Sequence, residues 1–350
     1  MDGPRLDELV TDGPGAELLA GLVALGWSEA FAGQLTEDDA GFAPVRVATV
    51  HRSRIAAMSP DGPRRLTLPV GMAAAGFAVG DWVLAAPSSG LVHRRLARKA
   101  LLERRLEGGK PPQLIAANID TLFIVTSCTA EFNPARLERY LALANEAGTE
   151  PVIVLTKADA VPDAEAYRQR AIVLQRALQA VCVDATDAGA ALVLAPWCGA
   201  GRTVALVGSS GVGKSTLLNT LAGPDQAIPQ ETGGVREIDG RGRHTTTGRS
   251  LHAIAGGGLV IDTPGMRSLH VSDTGFGIET LFAEITERAP ACKFRDCTHT
   301  HEPGCAVQAA VAAGEFPAER LMRWRKLNEE SLGLPPSQPR PNGAARGKKR

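Results

Sequence analysis

One stretch of the chain, residues 204–219, reads VALVGSSGVGKSTLLN and constrains the fold more than any other. A short apolar run leads into a glycine-rich turn, and a helical pattern follows directly after Lys214 and Ser215. The turn begins at Gly208 and fits the pattern Gly-x4-Gly-Lys-Ser, whose backbone N–H groups close around phosphate oxygens at a helix N-terminus. This order of strand, phosphate loop and helix predicts an α/β domain that binds a nucleotide.

The residues of this loop carry specific expectations. The candidate nucleotide contacts are Gly208, Ser209, Ser210, Gly211, Val212, Gly213, Lys214, Ser215 and Thr216. The Lys214 ammonium is expected to neutralise the β- and γ-phosphates, and the Ser215 hydroxyl to hold Mg²⁺. The alternative is a Gly/Ser-rich turn that only caps a helix, but Gly-Lys-Ser directly after a strand argues against it.

Apolar runs of strand length occur on both sides of the loop. They are TLFIVTS (121–127), PVIVLTK (151–157), QAVCVDA (179–185), TVALVG (203–208) and GLVIDTP (258–264). Helical patterns separate several of these runs, for example at 134–148. Continuous apolar strands that alternate with helices predict a parallel sheet covered on both faces.

A motif at the end of the run PVIVL indicates which base is bound. The motif is Thr156-Lys157-Ala158-Asp159. The Asp159 carboxylate can accept two hydrogen bonds, from the ring N–H and the exocyclic amine of guanine. Adenine has no such pair of donors, so an aspartate here favours a guanine nucleotide.

Two motifs downstream of the loop complete the candidate site. Asp262-Thr263-Pro264-Gly265 closes an apolar strand, where Asp262 can reach Mg²⁺ through water and the Gly265 N–H can sense a γ-phosphate. Between this motif and the loop lies Arg243-His244-Thr245-Thr246-Thr247, in a Gly/Arg-rich stretch that resembles a switch. We expect one threonine there to be the second Mg²⁺ ligand, with Thr246 and Thr247 as the candidates. A plain polar loop is the alternative.

These motifs occur in an unusual order. In ordinary GTPases the base-recognition motif follows the phosphate loop, whereas residues 156–159 precede it here. The physics tolerates this order, because a ligand of an α/β sheet binds at the carboxyl ends of the strands, whichever strand comes first. Joining the old termini and opening a new surface loop keeps such a site intact. The order therefore predicts a circularly permuted GTPase domain.

The segments on either side of this domain have different compositions. Residues 44–105 contain short β-like runs separated by Pro-Asp-Gly, Gly and Ser-Ser-Gly, which suggest a small barrel such as an OB-fold, with any small β-domain as the alternative. Residues 318–333 form a predicted helix. The last residues, PPSQPRPNGAARGKKR, are basic and rich in Pro and Gly, and are predicted to be disordered.

Three of the six cysteines cluster near the C-terminus. The segment Cys292-KFRD-Cys297-Thr-His299-THEPG-Cys305 offers three thiolates and one imidazole. This ligand set matches a closed, tetrahedral structural zinc site. His301 is a rival ligand two residues further on, and unligated thiols are the remaining alternative.

Together these motifs resemble the RsgA family of bacterial small ribosomal subunit biogenesis GTPases. The resemblance covers roughly residues 40–330. It rests on GDWV (80–83), AANID (116–120), LERYLALA (137–144), LTKAD (155–159), GSSGVGKST (208–216), GRHTTT (242–247), DTPG (262–265) and the cysteine cluster.

The resemblance implies a multidomain chain. The expected segments are an N-terminal extension (1–40), an OB-fold β-barrel (41–110), a circularly permuted GTPase domain (111–288), a small, mostly helical zinc-binding domain (289–335) and a basic disordered tail (336–350). It implies one structural Zn²⁺ per chain, held by Cys292, Cys297, His299 and Cys305, and Mg²⁺ bound with GTP. It also implies hydrolysis of GTP to GDP and phosphate, stimulated by the small (30S) ribosomal subunit during its late maturation. It implies a role in hydrolysis for His244, with a purely structural role in the switch loop as the alternative.

The sequence departs from general GTPases at three places. Thr156 stands where others carry an Asn that braces the phosphate loop and contacts the base. Met266 stands where many carry a Gln that orients water, so intrinsic turnover is expected to be slow. The base-backing loop is expected near Asp184-Ala185-Thr186, but the match there is poor and the loop stays unassigned.

Composition adds limits on location and partners. Acidic and basic residues balance at 38 each, so a surface that binds 16S rRNA must be a local patch. The basic residues His93, Arg94, Arg95, Arg98, Lys99, Arg104 and Arg105 are candidates for phosphate contacts, with a solvated face as the alternative. No secretory signal and no apolar run of roughly 18 residues is present, so a cytoplasmic protein without membrane contact is expected. A monomer is expected, since no coiled-coil pattern occurs.

Two other functions remain open at this stage. The chain could be a P-loop ATPase or kinase in which the TKAD motif is accidental. It could also be a non-catalytic RNA-binding adaptor, in which the barrel and the zinc module bind and the nucleotide domain is degenerate. The intact Gly208, Lys214, Ser215 and Asp262 argue against the adaptor.

Overall fold

The computed structural model describes residues 14–51, 54–104, 111–223, 249–263 and 274–333. Four predicted site residues lie outside this part of the chain: His244, Thr246, Thr247 and Gly265. Met266, Arg105 and the predicted tail lie outside it as well. None of the described helices is long and apolar enough to cross a membrane.

The described residues form thirteen strands and ten α-helices. The strands are β1 (Ala43–Val50), β2 (Ile55–Ser59), β3 (Gly62–Leu66), β4 (Trp82–Ala85), β5 (Val92–Arg95), β6 (Leu101–Arg104), β7 (Gln113–Ala117), β8 (Thr121–Ser127), β9 (Glu150–Thr156), β10 (Gln179–Cys182), β11 (Thr203–Val207), β12 (Ser250–Ala253) and β13 (Leu259–Asp262). The helices are α1 (Pro14–Ala24), α2 (Glu29–Ala32), α3 (Pro134–Glu146), α4 (Ala164–Ile172), α5 (Gly189–Leu194), α6 (Lys214–Ala222), α7 (Gly275–Leu281), α8 (Ala283–Thr286), α9 (Ala306–Ala312) and α10 (Ala318–Ser331).

Strands β1 to β5 close into a small barrel. β1 pairs with β2 on one side and β4 on the other, while β3 pairs with β2 and β5 with β4. A parallel bridge between Thr67 and Leu91 joins the two free edges. Alternate aliphatic residues fill the interior: Val45, Val47, Ile55, Ala57, Leu66, Val83, Ala85 and Val92. The predicted small barrel is therefore present, and its assignment to the five-stranded OB class stays a prediction.

The central sheet has the strand order β10-β9-β8-β11-β13-β12. All neighbours are parallel except β12, which runs antiparallel to β13. β12 also meets barrel strand β1 through the single pair Thr49 and Ser250, so the two sheets are continuous. The predicted α/β domain with a largely parallel sheet is confirmed.

The apolar strands of this sheet are buried on both faces, as their unbroken hydrophobic runs predicted. In β8, Leu122 and Ile124 face a core shared with α3 and α7, whereas Phe123 and Val125 face a core shared with α5 and α6. Helix α3 begins where Asn133 caps it by accepting a hydrogen bond from the Arg136 N–H, and Pro134 occupies its first turn. The sheet is thus fixed between two helical layers.

A buried arginine joins the N-terminal segment, the barrel and the central sheet. Arg46 on β1 is 1% exposed, and its guanidinium donates to the carbonyl oxygens of Leu25 (2.5 Å) and Asn118 (3.1 Å). Burial lowers the pKa of Arg46 to about 10, and nearby Asp120 and Asp81 offset part of that effect, so the side chain stays charged at neutral pH. One side chain therefore satisfies carbonyls from segments more than seventy residues apart.

Substitution of Arg46 by Met is expected to destabilise the protein. The Arg46→Met variant fills similar volume but leaves the Leu25 and Asn118 carbonyls without their charged donor, which should cost about 2–4 kcal/mol of unfolding free energy. Urea denaturation followed by tryptophan fluorescence measures the change. Arg65→Met on the exposed face of β3 is the control, and equal losses in both variants would contradict the assignment.

Candidate functional site

The predicted nucleotide motifs meet at one edge of the central sheet. Thr156 is the last residue of β9, Gly208 follows the last residue of β11, and Asp262 ends β13. Because these strands all run parallel in the order β9-β8-β11-β13, their carboxyl ends lie at the same edge although β9 comes first in the chain. The structure therefore brings together the base-recognition motif, the phosphate loop and the Asp262 motif, as the permuted order predicted.

The close approach to β8 and the backbone conformation of the phosphate loop explain its glycines. A Cβ at Gly208 would lie 2.1 Å from the carbonyl oxygen of Val125 on β8, a distance that real side chains do not adopt. Gly211 and Gly213 have φ of +78° and +92°, a left-handed conformation that costs glycine little. A residue without a side chain is therefore required at Gly208, where the loop passes close to β8, and glycine is favoured by the backbone conformation at Gly211 and Gly213.

The Lys214 side chain folds back onto the phosphate loop and forms hydrogen bonds with its backbone. Its ammonium donates to the carbonyl oxygens of Gly208 (2.8 Å) and Ser209 (2.5 Å), six and five residues earlier in the chain. Lys214 and Ser215 both lie in the first turn of α6, half-buried, where the helix dipole also favours an anion. The positive charge is thus held at the opening by the backbone of the loop itself.

The hydroxyl of Thr156 performs the bracing task that an Asn performs in other GTPases. Thr156 is fully buried, and its Oγ1 lies 2.6 Å from the carbonyl oxygen of Val212 in the phosphate loop. The carbonyl oxygen of Thr126 is more distant, at 3.1 Å, and a hydroxyl has one proton to donate. The departure from Asn therefore keeps the brace to the loop.

The backbone after Thr156 presents Asp159 to solvent. Lys157 adopts a left-handed conformation with φ of +56°, and a short 3₁₀ turn follows at Ala158–Ala160. Both Lys157 and Asp159 are exposed, while Ala158 is half-buried. The carboxylate of Asp159 is accordingly accessible to a base at the same edge as the phosphate loop.

The unassigned segment 184–186 lies next to the base-recognition motif. The Ala158 N–H donates to the carbonyl oxygen of Val183 (3.4 Å), and the Thr220 hydroxyl on α6 donates to that of Ala185 (2.7 Å). The Asp184 carboxylate accepts from the N–H and the hydroxyl of Thr186, at 2.8 and 2.7 Å. The assignment of residues 184–186 as the base-backing loop stays a prediction, because local hydrogen bonds rather than a recognisable motif shape this segment.

Asp262 and Thr263 lie at the carboxyl end of β13, at the same edge of the sheet as the phosphate loop. The buried Thr263 hydroxyl donates to the carbonyl oxygen of Leu206 on β11 at 2.7 Å, which ties the end of β13 to the strand that carries the phosphate loop. Asp262 is half-buried beside it. Asp262 and Ser215 supply the carboxylate and hydroxyl oxygens that suit Mg²⁺.

One contact to the phosphate loop was not predicted from the sequence. Arg136, in the first turn of α3, donates from Nη1 to the Ser209 hydroxyl at 2.5 Å. No sequence motif includes Arg136, because the contact depends on how α3 packs against β8 and β9. It could have been found only from the three-dimensional arrangement.

The C-terminal cluster has the geometry of a metal site. The ligand atoms of Cys292, Cys297, His299 and Cys305 all lie within 4.8 Å of one another. Cys292 Sγ and Cys305 Sγ are 3.8 Å apart, and His299 Nδ1 lies 3.5 and 3.4 Å from them. A tetrahedron with metal–sulfur bonds of about 2.3 Å has edges of about 3.8 Å, so the four side chains fit around one metal ion.

The structure distinguishes the two candidate histidines. His299 is buried against Trp324 at a ring distance of 5.5 Å, whereas His301 is exposed. Burial lowers the pKa of His299, which favours the neutral imidazole that metals bind. The Gln308 side chain donates to the His299 carbonyl oxygen at 2.5 Å and so holds the ligand loop against α9.

The predicted basic stretch after the barrel is largely engaged in ion pairs within the protein. Arg94 pairs with buried Asp39 at 2.5 Å, and Arg98 pairs with fully buried Asp81 at 2.6 Å. The Arg94 guanidinium holds the pKa of Asp39 well below its usual range. These two arginines therefore have structural roles, and Arg95 on β5 stays an exposed candidate for phosphate contacts.

Substitution of Thr156 by Val should weaken nucleotide binding. Thr156→Val keeps the shape but leaves the Val212 carbonyl without its buried donor, which should raise the dissociation constant for GTP about tenfold. Titration with a fluorescent GTP analogue measures this. Thr149→Val removes a similar buried hydroxyl, which donates to the Ala144 carbonyl at 3.0 Å just before β9, at the opposite edge of the sheet. Equal weakening in both variants would refute the brace.

Comparisons with known proteins show the family to which the chain belongs. The sequence model of the family described as RsgA GTPase matches residues 95–272. The chain is 64% identical, over 94% of its length and 96% of the relative's, to the small ribosomal subunit biogenesis GTPase RsgA of Mesorhizobium japonicum. It is 47% identical to the small ribosomal subunit biogenesis GTPase RsgA 2 of Vibrio vulnificus, over 88% of this chain and 87% of that one.

Solved structures show the same architecture. The crystal structure of YjeQ from Thermotoga maritima matches with a TM-score of 0.60 and 26% identity, over 84% of this chain and 100% of that one. The structure of YloQ, described as a circularly permuted GTPase, matches in fold with a TM-score of 0.60 at 23% identity, over 87% of this chain and 100% of that one. The sequence family, the permuted order of motifs and the assembled phosphate site agree, and the chain belongs to the RsgA family of circularly permuted GTPases.

Proposed function

We propose that this protein binds the small (30S) ribosomal subunit, assists its late maturation and hydrolyses GTP to GDP and phosphate in response to the subunit. The observation that carries the proposal is the meeting of Asp159, the Thr156 brace and the phosphate loop at one sheet edge. The names of the similar proteins, small ribosomal subunit biogenesis GTPases, support the choice of the ribosomal subunit as partner.

The residues at this edge account for nucleotide binding and for part of the chemistry. The exposed Asp159 carboxylate accepts the two guanine donors, and the loop N–H groups surround the phosphates. Lys214, already held by the Gly208 and Ser209 carbonyls, places its charge where charge develops on the transferred phosphoryl group. When bound at Ser215 and Asp262, Mg²⁺ supplies further neutralisation of that charge.

The remaining catalytic assignments are proposals that rest on the family resemblance. His244 is proposed to assist hydrolysis, and Thr246 or Thr247 to be the second Mg²⁺ ligand. Gly265 is proposed to sense the γ-phosphate through its N–H. Met266 carries no group that can orient water, so the protein is expected to turn over slowly until the subunit binds.

The other parts of the chain are assigned to binding. The barrel (41–110, an OB-fold) and the basic tail (336–350) are proposed to contact 16S rRNA. Between them lie the proposed GTPase domain (111–288) and the proposed zinc domain (289–335). Exposed arginines such as Arg95 suit phosphate contacts without base reading. We propose a cytoplasmic location, since the proposed partner is a ribosomal subunit. We propose a monomer because the sequence has no coiled-coil pattern.

The metal of the C-terminal cluster is proposed to be zinc. Three thiolates and one imidazole in closed tetrahedral geometry suit Zn²⁺, and such a site stabilises a small domain rather than acting in catalysis. Helices α9 and α10 both contact the cluster: Cys305 Sγ accepts the Gln308 N–H at the start of α9, and Trp324 of α10 packs against His299. The metal would thus link the ligand loop to both helices.

Subunit-dependent GTP hydrolysis is the direct test of the proposal. Hydrolysis of GTP and ATP is measured for the protein alone, with small subunits and with large subunits. We expect strong stimulation by small subunits only, and only with GTP. Stimulation by neither subunit would remove the ribosome as activator, and equal use of ATP would favour the ATPase alternative.

A matched pair of variants separates guanine recognition from general damage. Asp159→Asn replaces the acceptor of the guanine donors and should weaken GTP binding about a hundredfold. Asp163→Asn is the control, because Asp163 only caps α4 by accepting the Ala166 N–H and Asn caps equally well. If both variants bind GTP normally, Asp159 does not recognise the base.

Metal content tests the zinc assignment. We expect about one zinc per chain by elemental analysis after dialysis against a mild chelator. His299→Ala should lose the metal and lower the unfolding temperature, since one of four ligands is removed. The exposed His301→Ala variant is the matched control and should keep the metal. Loss of zinc from His301→Ala instead would reassign the fourth ligand.

A further inference from the structure

Helix α3 touches the phosphate loop through a residue that no motif contains. Arg136 Nη1 donates to the Ser209 hydroxyl at 2.5 Å, and the same nitrogen lies 3.2 Å from the carboxylate of Glu131. The Arg136 side chain is 43% exposed, so a surface ion pair with Glu131 alone would add little to stability. The contact with Ser209 is the one that reaches the nucleotide site.

Ser209 is one of the two residues, with Gly208, whose carbonyl oxygens hold the Lys214 ammonium. Its carbonyl oxygen accepts the Lys214 ammonium at 2.5 Å, while its hydroxyl accepts Arg136. A shift of Ser209 would therefore move both an acceptor of Lys214 and the adjoining loop N–H groups. At the other end of the loop, the Thr156 hydroxyl holds Val212. The loop is fixed at two points, by β9 and by α3.

The opposite side of α3 is locked to the C-terminal helix α10. Glu138 on α3 is fully buried and accepts from Arg320 (2.7 Å) and Arg323 (2.8 Å) of α10. Arg139 adds a second ion pair with Glu330 of α10 at 2.6 Å. Removing one partner of a buried charge pair leaves the other uncompensated, so these contacts strongly prefer one position of α10 on α3.

Helix α7 packs against α3 so closely that their backbones nearly touch. A Cβ at Gly277 of α7 would lie 2.0 Å from the Ala142 carbonyl oxygen, so only glycine fits there. The Gly277 N–H donates to Glu146 at 2.8 Å, and the Gly277 carbonyl accepts from Asn145 at 3.3 Å. Helix α3 cannot shift without moving α7, so it acts as a rigid element between the loop and α10.

We infer that Arg136 is a positioning residue for the phosphate loop, and that α3 connects this loop to the C-terminal helix α10. A displacement of α10 would move α3 through Glu138. Because Arg136 lies within one turn of Glu138 on α3, the same displacement would shift the contact of Arg136 with Ser209. Contacts made by the C-terminal domain with a partner would then alter how Ser209 seats Lys214. The inference rests on the proposed function, because it concerns the same nucleotide site.

A double-mutant cycle tests the Arg136 contact. The dissociation constants for GTP and a fluorescent GDP analogue are measured for the full chain and for Arg136→Leu, Ser209→Ala and the double variant. We expect each single substitution to weaken binding about three- to tenfold. If Arg136 acts through Ser209, the double variant is no weaker than the weaker single variant.

Two controls separate positioning from damage to the fold. Arg176→Leu removes an arginine that forms an ion pair with Glu287 on the exposed surface, and it should leave nucleotide affinity unchanged. The urea midpoint of Arg136→Leu should match that of Arg176→Leu. Fully additive effects of Arg136→Leu and Ser209→Ala, or no effect of Arg136→Leu, would overturn the inference.

The connection to α10 is tested by Glu138→Gln in two backgrounds. Gln keeps an acceptor for Arg320 but removes the charge. We expect this variant to weaken nucleotide binding severalfold when Arg136 is present and to have no effect in the Arg136→Leu chain. An equal effect in both backgrounds, or none in either, would show that α10 is not coupled through Arg136. If Glu138→Gln fails to fold, Glu330→Gln at the half-exposed pair with Arg139 replaces it.

The readout also separates this inference from the proposed function. Nucleotide affinity is measured without ribosomal subunits, so loss of subunit stimulation does not affect the result. A wild-type chain that bound no guanine nucleotide would overturn both. Tight guanine binding that is indifferent to Arg136 would overturn only the inference.

Discussion

The nucleotide site depends on one constraint, the parallel alignment of β9, β8, β11 and β13. Because the strands are parallel, their carboxyl ends lie at the same edge of the sheet, and three loops from distant parts of the sequence meet there. Side chains then fix the loops to one another across the strands. Thr156 holds Val212, and Thr263 holds Leu206, so the phosphate loop and its strand are tied to both neighbouring motifs.

The rest of the molecule is attached to this sheet by a few buried charged groups. Arg46 joins the N-terminal segment and the barrel to Asn118 just before β8. Arg320 and Glu138 join α10 to α3 on the other side. A buried charge tolerates little displacement once its hydrogen bonds are made, so each group specifies one arrangement of the segments it joins. The arrangement of the segments thus depends on a few residues, and substitution of any one of them is expected to lower the free energy of unfolding substantially.

The sequence was most informative where a local pattern determines the structure. The limits of β8 were predicted from its apolar run, and the phosphate loop from its glycines, because both depend on neighbouring residues. Strands β6 and β12 carry no clear period, since each buries only one side chain, and β7 buries Ile115, Ala116 and Ala117 in an unbroken run without alternation. The contacts of Arg94, Arg98 and Arg136 could not be predicted, because their partners lie 55, 17 and 73 residues away in the chain.

The permuted order of the motifs has a mechanical consequence for the C-terminal domain. In this chain α7 follows the Asp262 strand, and α8, the cysteine cluster and α10 come after it. The covalent route from the nucleotide edge therefore leads into the domain that α3 also contacts through Glu138. Both routes converge on α7 and α10, which pack on the same helix α3. If α3 couples α10 to the phosphate loop as inferred above, the coupling is reciprocal: a ligand at the sheet edge would change binding at α10 by the same factor as binding at α10 changes affinity for the ligand.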